Sequence, residues 1–210
     1  MTEIILVRHG ETEWNREGVF RGRIDIELNE IGLKQAELLA EYLSELEIEA
    51  IYSSPVERAV KTASAIAQYH RLNVETAPGL IDLDFGEWQG LSRQKVKEQY
   101  KEIFTNWMEN PHLGRVPGGE SLDEVRERAM AMVNDVINKH DGTIVLVSHR
   151  VVNKVLICAL LGLDNSHFRN IKLDTCGITT FSHKDGEFIL EKHNDTSFLK
   201  ALGNVPLGDF

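Results

Sequence analysis

Hydrophobic positions change their period several times along the chain, and each change marks an element. Glu3 to Val7 is a short β-branched run that stops abruptly at Arg8-His9-Gly10, as a buried strand does on entering a loop. From Asn29 to Leu46 the apolar residues fall at Leu33, Ala36, Leu39, Ala40, Leu43 and Leu46. That spacing of three and four predicts a helix with one face on a core and Asn29 as its N-cap. Ala50 to Ser53 reads as a second strand. Pro55 is then expected in the first turn of the next helix, where its missing N–H costs nothing. Val56, Ala59, Val60, Ala63, Ile66 and Ala67 carry a buried stripe on to about His70, and Val74 to Thr76 is a short third strand.

Periodicity fails from Ala77 to Gly119, where glycines, prolines and scattered aromatics suggest turns around one or two short helices. Regular spacing returns at Leu122, Val125, Ala129, Val133, Val136 and Ile137, a long amphipathic helix from Ser121 to His140. Ser121 and Glu124 have the spacing of a capping box. Thr143 to Val147 is a fourth strand and Val151 to Leu161 a largely buried helix closed by Gly162. Ile178 to Ser182 and Phe188 to Lys192 flank Lys184-Asp185-Gly186, a hairpin signal. Strands alternating with helices predict a three-layer α/β/α architecture, a mainly parallel sheet with an antiparallel edge.

The 210 residues fit one domain spanning the whole chain, with the irregular stretch at about 77–119 as an insertion near a ligand mouth. A net charge of −10 excludes general nucleic-acid or anionic-membrane binding, so any anionic ligand must be held by a local cluster of cations. No apolar run is long enough to span a bilayer, and the first residues lack the basic start of a signal peptide, which makes the cytoplasm the expected location. Cys158 and Cys176 read as reduced, buried thiols. A homo-oligomer is compatible with this pattern, which does not decide the oligomeric state.

The chemistry gathers where the predicted strands end. Arg8-His9 follow the first, Ser53-Ser54-Pro55 and Arg58 the second, and His149-Arg150 the fourth. In open α/β sheets ligands bind outside the carboxyl ends of the strands. Two guanidiniums offer the paired donors that a tetrahedral oxyanion needs, and a helix N-terminus beside Arg58 adds backbone N–H groups. A metal held by the two histidines is disfavoured, because the arginines beside them would repel a divalent cation. With a phosphoryl group bound, neutral imidazole is a competent nucleophile, and the second histidine can stay protonated and share the developing charge.

The run Leu6-Val7-Arg8-His9-Gly10-Glu11-Thr12-Glu13-Trp14-Asn15 resembles the signature of the histidine phosphatase superfamily, in its phosphoglycerate-mutase-like branch. Further matches follow in the family's order: Gly22 and Asp25 with Leu28, Ser53-Ser54-Pro55 to Arg58-Ala59, Leu80 to Gly90, Pro117 to Ser121, and Val147-Ser148-His149. The resemblance implies a phosphoglycerate-mutase-like fold and a metal-independent phosphomonoesterase that needs no cofactor. It implies His9 as the nucleophile that becomes phosphohistidine, with Arg8, Arg58 and His149 holding the phosphoryl group and Asn15 adding a contact. The family's proton donor is usually a Glu, and its place here holds Asp82, one methylene shorter; Asp84, Glu87 and Glu11 are reserve candidates.

Arg21 and Arg150 also depart from the family's usual residues. Arg21, Arg23 or Arg150 is expected to meet a second anionic group on the substrate, with Gly22 beside it in the binding loop. Salt bridges to neighbouring carboxylates are the competing explanation. Two other functions share the motifs: a cofactor-dependent phosphoglycerate mutase, which the compact length disfavours, and a non-catalytic phospholigand sensor, motivated by Asp82. Trp14, Trp88 and Trp107 read as packing anchors, Trp107 being the best of them for a lid contact, and His70 and His140 as structural residues at helix ends. His112 is considered for the substrate mouth.

Overall fold

The computed structural model describes residues 1–203. Six strands form one sheet: β1 (Thr2–Arg8), β2 (Ile48–Ser53), β3 (Val74–Thr76), β4 (Thr143–Ser148), β5 (Ile178–Lys184) and β6 (Glu187–Asp195), in the order β3-β2-β4-β1-β5-β6. The first four positions pair in parallel, while β5 runs antiparallel to β1 and β6 antiparallel to β5. Seven α-helices accompany them among the described residues: α1 (Glu13–Glu17), α2 (Glu30–Leu43), α3 (Glu57–His70), α4 (Arg93–Gln99), α5 (Lys101–Glu109), α6 (Leu122–Lys139) and α7 (Arg150–Leu160).

Successive strand side chains point to opposite faces, so each buried strand feeds two cores. Ile4 and Leu6 of β1, with Ile144 and Leu146 of β4, pack against α6 and α7 through Val125, Ala129, Val133, Val152 and Leu156. Ile5 and Val7, with Val145 and Val147, face α2 and α3 through Leu39, Leu43, Ala59, Ala63 and Ile66. This explains why β1 and β4 read as continuous apolar runs. Caps set the helix starts: the Asn29 side chain accepts from Gly32 N at the head of α2, and Ser121 with Glu124 closes the expected box on α6.

Several boundaries differ from the sequence expectation. α2 stops at Leu43, where Ser44 Oγ donates to Glu41 O; Leu46 lies beyond it, and Leu33 and Leu46 are exposed rather than part of the core face. Pro55 lies outside α3, whose N-cap is Val56, because the chain bends after Ser54 before the first turn forms. α7 begins one residue earlier than expected, at Arg150. Residues 77–119 contain two 3-10 turns as well as α4 and α5, with Trp88 fully buried among Phe20, Tyr100, Phe104 and Trp107. Both cysteines are free and buried. No helix of the described residues is long and apolar enough to cross a membrane.

β4 lies between β1 and β2, and the register aligns Arg8 with Ser148 and Ser53 with Val147. The chain reverses its direction of travel across the sheet here, so the ends of these three strands open onto one crevice.

Candidate active site

His9 and His149 follow β1 and β4 directly. The His9 amide donates to Ser148 O (3.0 Å) and that of Ser54 to Val147 O (2.9 Å), which extends the sheet pairing into the site. The two imidazoles lie with centroids 5.1 Å apart and planes inclined at 58°. Both are buried, with 1% and 0% of their surface exposed.

The tautomer of His9 follows from its partner. Nδ1 lies 2.6 Å from the Gly10 carbonyl, which can only accept, so Nδ1 carries the proton and the neutral ring keeps its lone pair on Nε2. Burial, then the charges of Arg58, Arg8 and Arg21, hold the His9 pKa well below its usual value. The ring is therefore neutral near pH 7. Gly10 is needed for close packing: a Cβ there would lie 2.6 Å from Gly32 O, and the Gly10 amide donates to Thr62 Oγ1 (3.1 Å).

The guanidiniums are anchored through the backbone. Arg8 Nη1 donates to Leu173 O (2.8 Å), and Arg58 donates from Nη1 to Ile24 O (2.9 Å) and from Nη2 to Gly22 O (2.7 Å). Gly22 has φ +54°, a left-handed conformation that side-chain-bearing residues rarely adopt, and a Cβ there would push the Gln89 amide aside, so the loop that presents its carbonyl to Arg58 favours glycine. Burial lowers the Arg58 pKa to about 10, with Asp82 opposing the shift, and the side chain stays cationic at neutral pH.

Asp82 reaches this group despite its short side chain. Its Oδ2 is 3.3 Å from Arg58 Nη2 and 3.6 Å from His149 Nδ1, while Oδ1 accepts from Leu83 N (2.9 Å). Burial raises its pKa, and Arg58 and Arg21 oppose the rise. The reserve carboxylates are engaged elsewhere. Glu11 accepts from Asn29, Asp84 binds Gly86 N and Arg23, and Glu87 accepts from Tyr100.

Burial, followed by the charge of Arg58, holds the His149 pKa well below the ordinary value, so in the free site this ring too is neutral. A phosphoryl dianion would reverse that balance. Its Nε2 pairs with Ser54 Oγ at 2.7 Å, which turns Nδ1 toward Asp82.

The remaining predicted residues divide. Asn15 is buried, and its Oδ1 accepts from Thr12 N (2.9 Å) and Thr12 Oγ1 (2.8 Å); any anion contact therefore falls to its amide N–H groups. The charge of Arg21 acts on His9, Arg58, Asp82 and His149 alike, which puts it close to the reacting centre. Arg23 forms ion pairs with Glu120 (2.9 Å) and Asp84 (3.4 Å), the salt-bridge alternative. Arg21, Gly22, Asp82 and Arg150 line a cleft beside the histidines, together with Phe20, Phe85, Trp107, Met108, Pro111 and Phe168; His112 does not.

Two residues escaped the sequence reading. Ser54 was visible as part of a motif, but its bond to His149 spans 95 positions. Lys154 lies buried within the apolar run of α7 and lines the cleft; the signal was a single cation four residues after Arg150. Among the described residues no group of three or more His, Cys, Asp or Glu side chains is placed to hold a metal ion.

The family model described as "Histidine phosphatase superfamily (branch 1)" matches residues 4–196. Phosphoserine phosphatase 1 of Hydrogenobacter thermophilus is 39% identical over 200 residues, 95% of each chain. The metal-independent phosphoserine phosphatase of Arabidopsis thaliana is 32% identical over 212 residues, 99% of this chain and 87% of that one. The crystal structure of an Entamoeba histolytica phosphoserine phosphatase in complex with 3-phosphoglyceric acid matches with a TM-score of 0.83 and 32% identity, over 95% of this chain and 100% of the other. A strand-end pair of buried histidines flanked by two buried arginines, carried by a chain that the family model covers almost throughout, identifies this protein as a member of the histidine phosphatase superfamily and a phosphoric monoester hydrolase.

Proposed function

We propose that the substrate is a small phosphomonoester with a second anionic group, of the kind represented by phosphoserine and 3-phosphoglycerate, and that His9, Asp82, His149, Arg8 and Arg58 carry out its hydrolysis in the cytoplasm. The phosphoryl oxygens are held by Arg8, Arg58 and His149, with Asn15 and Arg21 contributing. His9 Nε2 attacks phosphorus as the ester P–O bond breaks, and the leaving oxygen takes the Asp82 proton. Water then attacks the phosphohistidine and gives its proton to Asp82; the P–N bond breaks and inorganic phosphate leaves. Burial raises the Asp82 pKa, and a bound phosphate dianion adds to the rise, which favours the protonated form needed in the first step.

The observation that carries this reading is the bond from His9 Nδ1 to the Gly10 carbonyl, because it leaves a neutral ring with its lone pair on Nε2. Residues 1–210 act as one domain in this proposal, the insertion at about 77–119 supplying Asp82, Phe85, Trp107, Met108 and Pro111 to the cleft. The test is rapid mixing with p-nitrophenyl phosphate in the presence of a chelator. Turnover that persists in wild type and vanishes in His9→Ala supports the proposal; binding without turnover in wild type would refute it.

A further inference from the structure

We propose that Arg128 of α6, clamped by Glu120, is a positioning residue for Asp82: it holds the backbone at residue 82 so that the short carboxyl stays beside Arg58 and His149. This rests on the acid role given to Asp82 above and assigns what keeps that acid in place.

An aspartate carboxyl hangs on a single methylene, so the backbone that carries it sets its position, and an error of about 1 Å costs on the order of a hundredfold in rate. Asp82 lies in a stretch without helix or strand, between the 3-10 turns Pro78–Leu80 and Gly86–Trp88. Such a stretch has to be held from outside. Ser148 Oγ, next to His149, donates to Leu80 O (2.7 Å). Arg128 donates from Nη1 to Gly79 O (2.8 Å) and from Nη2 to Asp82 O (3.2 Å), so one guanidinium ties the carbonyl of the acid itself to α6.

Glu120 fixes the guanidinium in turn. Its Oε1 accepts from Arg128 Nε and its Oε2 from Arg128 Nη2, both at 3.0 Å, a two-pronged geometry that the planar fork of arginine provides. Glu120 also grips the stretch on the far side of Asp82: Oε2 accepts from Asp84 N (3.0 Å), and Glu120 N donates to Asp84 O (2.9 Å). Burial opposes its ionisation, but the bonds from Arg128 and the Asp84 amide hold the Glu120 pKa below the usual carboxylate range, so it is charged at neutral pH. Arg23 adds an ion pair to Glu120 Oε1 (2.9 Å) and a long contact from Nε to Asp82 O (3.4 Å), from a more exposed position. α6 is the platform for all of this, packed on the sheet through Val125, Ala129 and Val133 and capped by Ser121 beside Glu120.

Two variants of opposite charge separate position from electrostatics. Arg128→Met removes a cation and Glu120→Gln an anion; in either orientation the new amide turns its NH2 toward a donor of Arg128, which breaks the fork. If the pair acted on Asp82 through its charge, the two changes would move alkyl-ester cleavage in opposite directions, whereas loss of position lowers it in both. The readout is the single-turnover rate constant for phosphoserine or phosphoethanolamine, which leave as alkoxides, divided by that for p-nitrophenyl phosphate, which leaves without a proton. Both variants should lower this ratio roughly ten- to hundredfold for both alkyl esters, the effect of a displaced acid. In the Asp82→Asn background Glu120→Gln should add little, because the two changes act on one group. An unchanged ratio, shifts of opposite sign, a loss confined to phosphoserine, or a full further loss in the double variant overturns the inference. If Arg128→Met does not fold, Glu120→Gln decides through the ratio and the double variant. A ratio that falls in Asp82→Asn but in neither other variant defeats this inference alone; one unmoved in Asp82→Asn defeats the acid role, and no turnover of any ester by wild type defeats the phosphatase reading itself.

Discussion

Asp82→Asn separates the acid from the rest of the site. Asparagine keeps the shape and still accepts from Leu83 N through its carbonyl, but it places no ionisable group beside Arg58 Nη2 and His149 Nδ1, now 3.3 and 3.6 Å from Asp82 Oδ2. Removing a positioned general acid costs on the order of 10²- to 10⁴-fold, about 3–5 kcal/mol in the barrier. An alkyl ester such as phosphoserine leaves as a strongly basic alkoxide and should lose this full factor in kcat. Nitrophenolate leaves without help, so the first turnover of p-nitrophenyl phosphate should survive. Its steady-state rate should fall, because water attack on phosphohistidine uses Asp82 as the base. In stopped flow the variant should therefore show a nitrophenolate burst approaching one per active site, then slow release, with acid-labile phosphate trapped on the protein. Alkyl-ester turnover within threefold of wild type would refute the argument and pass the acid role to another carboxylate.

Other consequences can be checked together. The His9 and His149 pKa values are lowered in the fold from about 6.5 in the unfolded chain, so below that pH the unfolded state binds more protons. Stability in ligand-free protein should fall as pH drops through 6.5, by up to about 1.4 kcal/mol per pH unit for each ring, and His149→Gln should flatten the slope in urea titrations at stepped pH. Asp82 has the opposite sign: its raised pKa means its burial costs stability above that pKa and the cost fades as pH falls through it, so Asp82→Asn should unfold no earlier than wild type at pH 7. Arg23→Ala breaks two partly exposed ion pairs and should cost no more than about 1 kcal/mol, a shift of roughly 2–4 °C in Tm, with the phosphoserine to phosphoethanolamine ratio unmoved. Gly22→Ala forces a side chain into positive φ and against Gln89, displacing the carbonyl that holds Arg58; we expect a loss of about 1–3 kcal/mol by calorimetry and more than tenfold in kcat/KM.

Elements whose burial repeats at a single period were legible from the chain. β1 and β4, covered on both faces, read as unbroken apolar runs, and α6 announced itself through its stripe and its box. Leu33 and Leu46 misled because their spacing matched the core face, while the actual end of α2 depends on a serine turning back to Glu41. At the site, His9, Arg58 and His149 were visible because strand ends attract chemistry. What stayed hidden was carried by distant partners: the Leu173 carbonyl that holds Arg8 is 165 positions away, and Ser54 meets His149 across 95. Lys154 was masked by its apolar neighbours, since a hydrophobic stripe reports burial and says nothing of what a buried cation faces. The charge state of His149 depends on how completely water is excluded, which no linear pattern records.

The pairing of Arg8 with Ser148 joins segments that synthesis separates by more than half the chain, and that of Ser53 with Val147 segments separated by nearly half of it. Until β4 slots between its two older neighbours there is no half-formed version of the centre to do part of the work, and a slip of one residue would turn the wrong side chains to each face. Recovery of turnover during renaturation therefore reports the insertion of that last central strand, and should trail the return of helical signal from the segments that precede it.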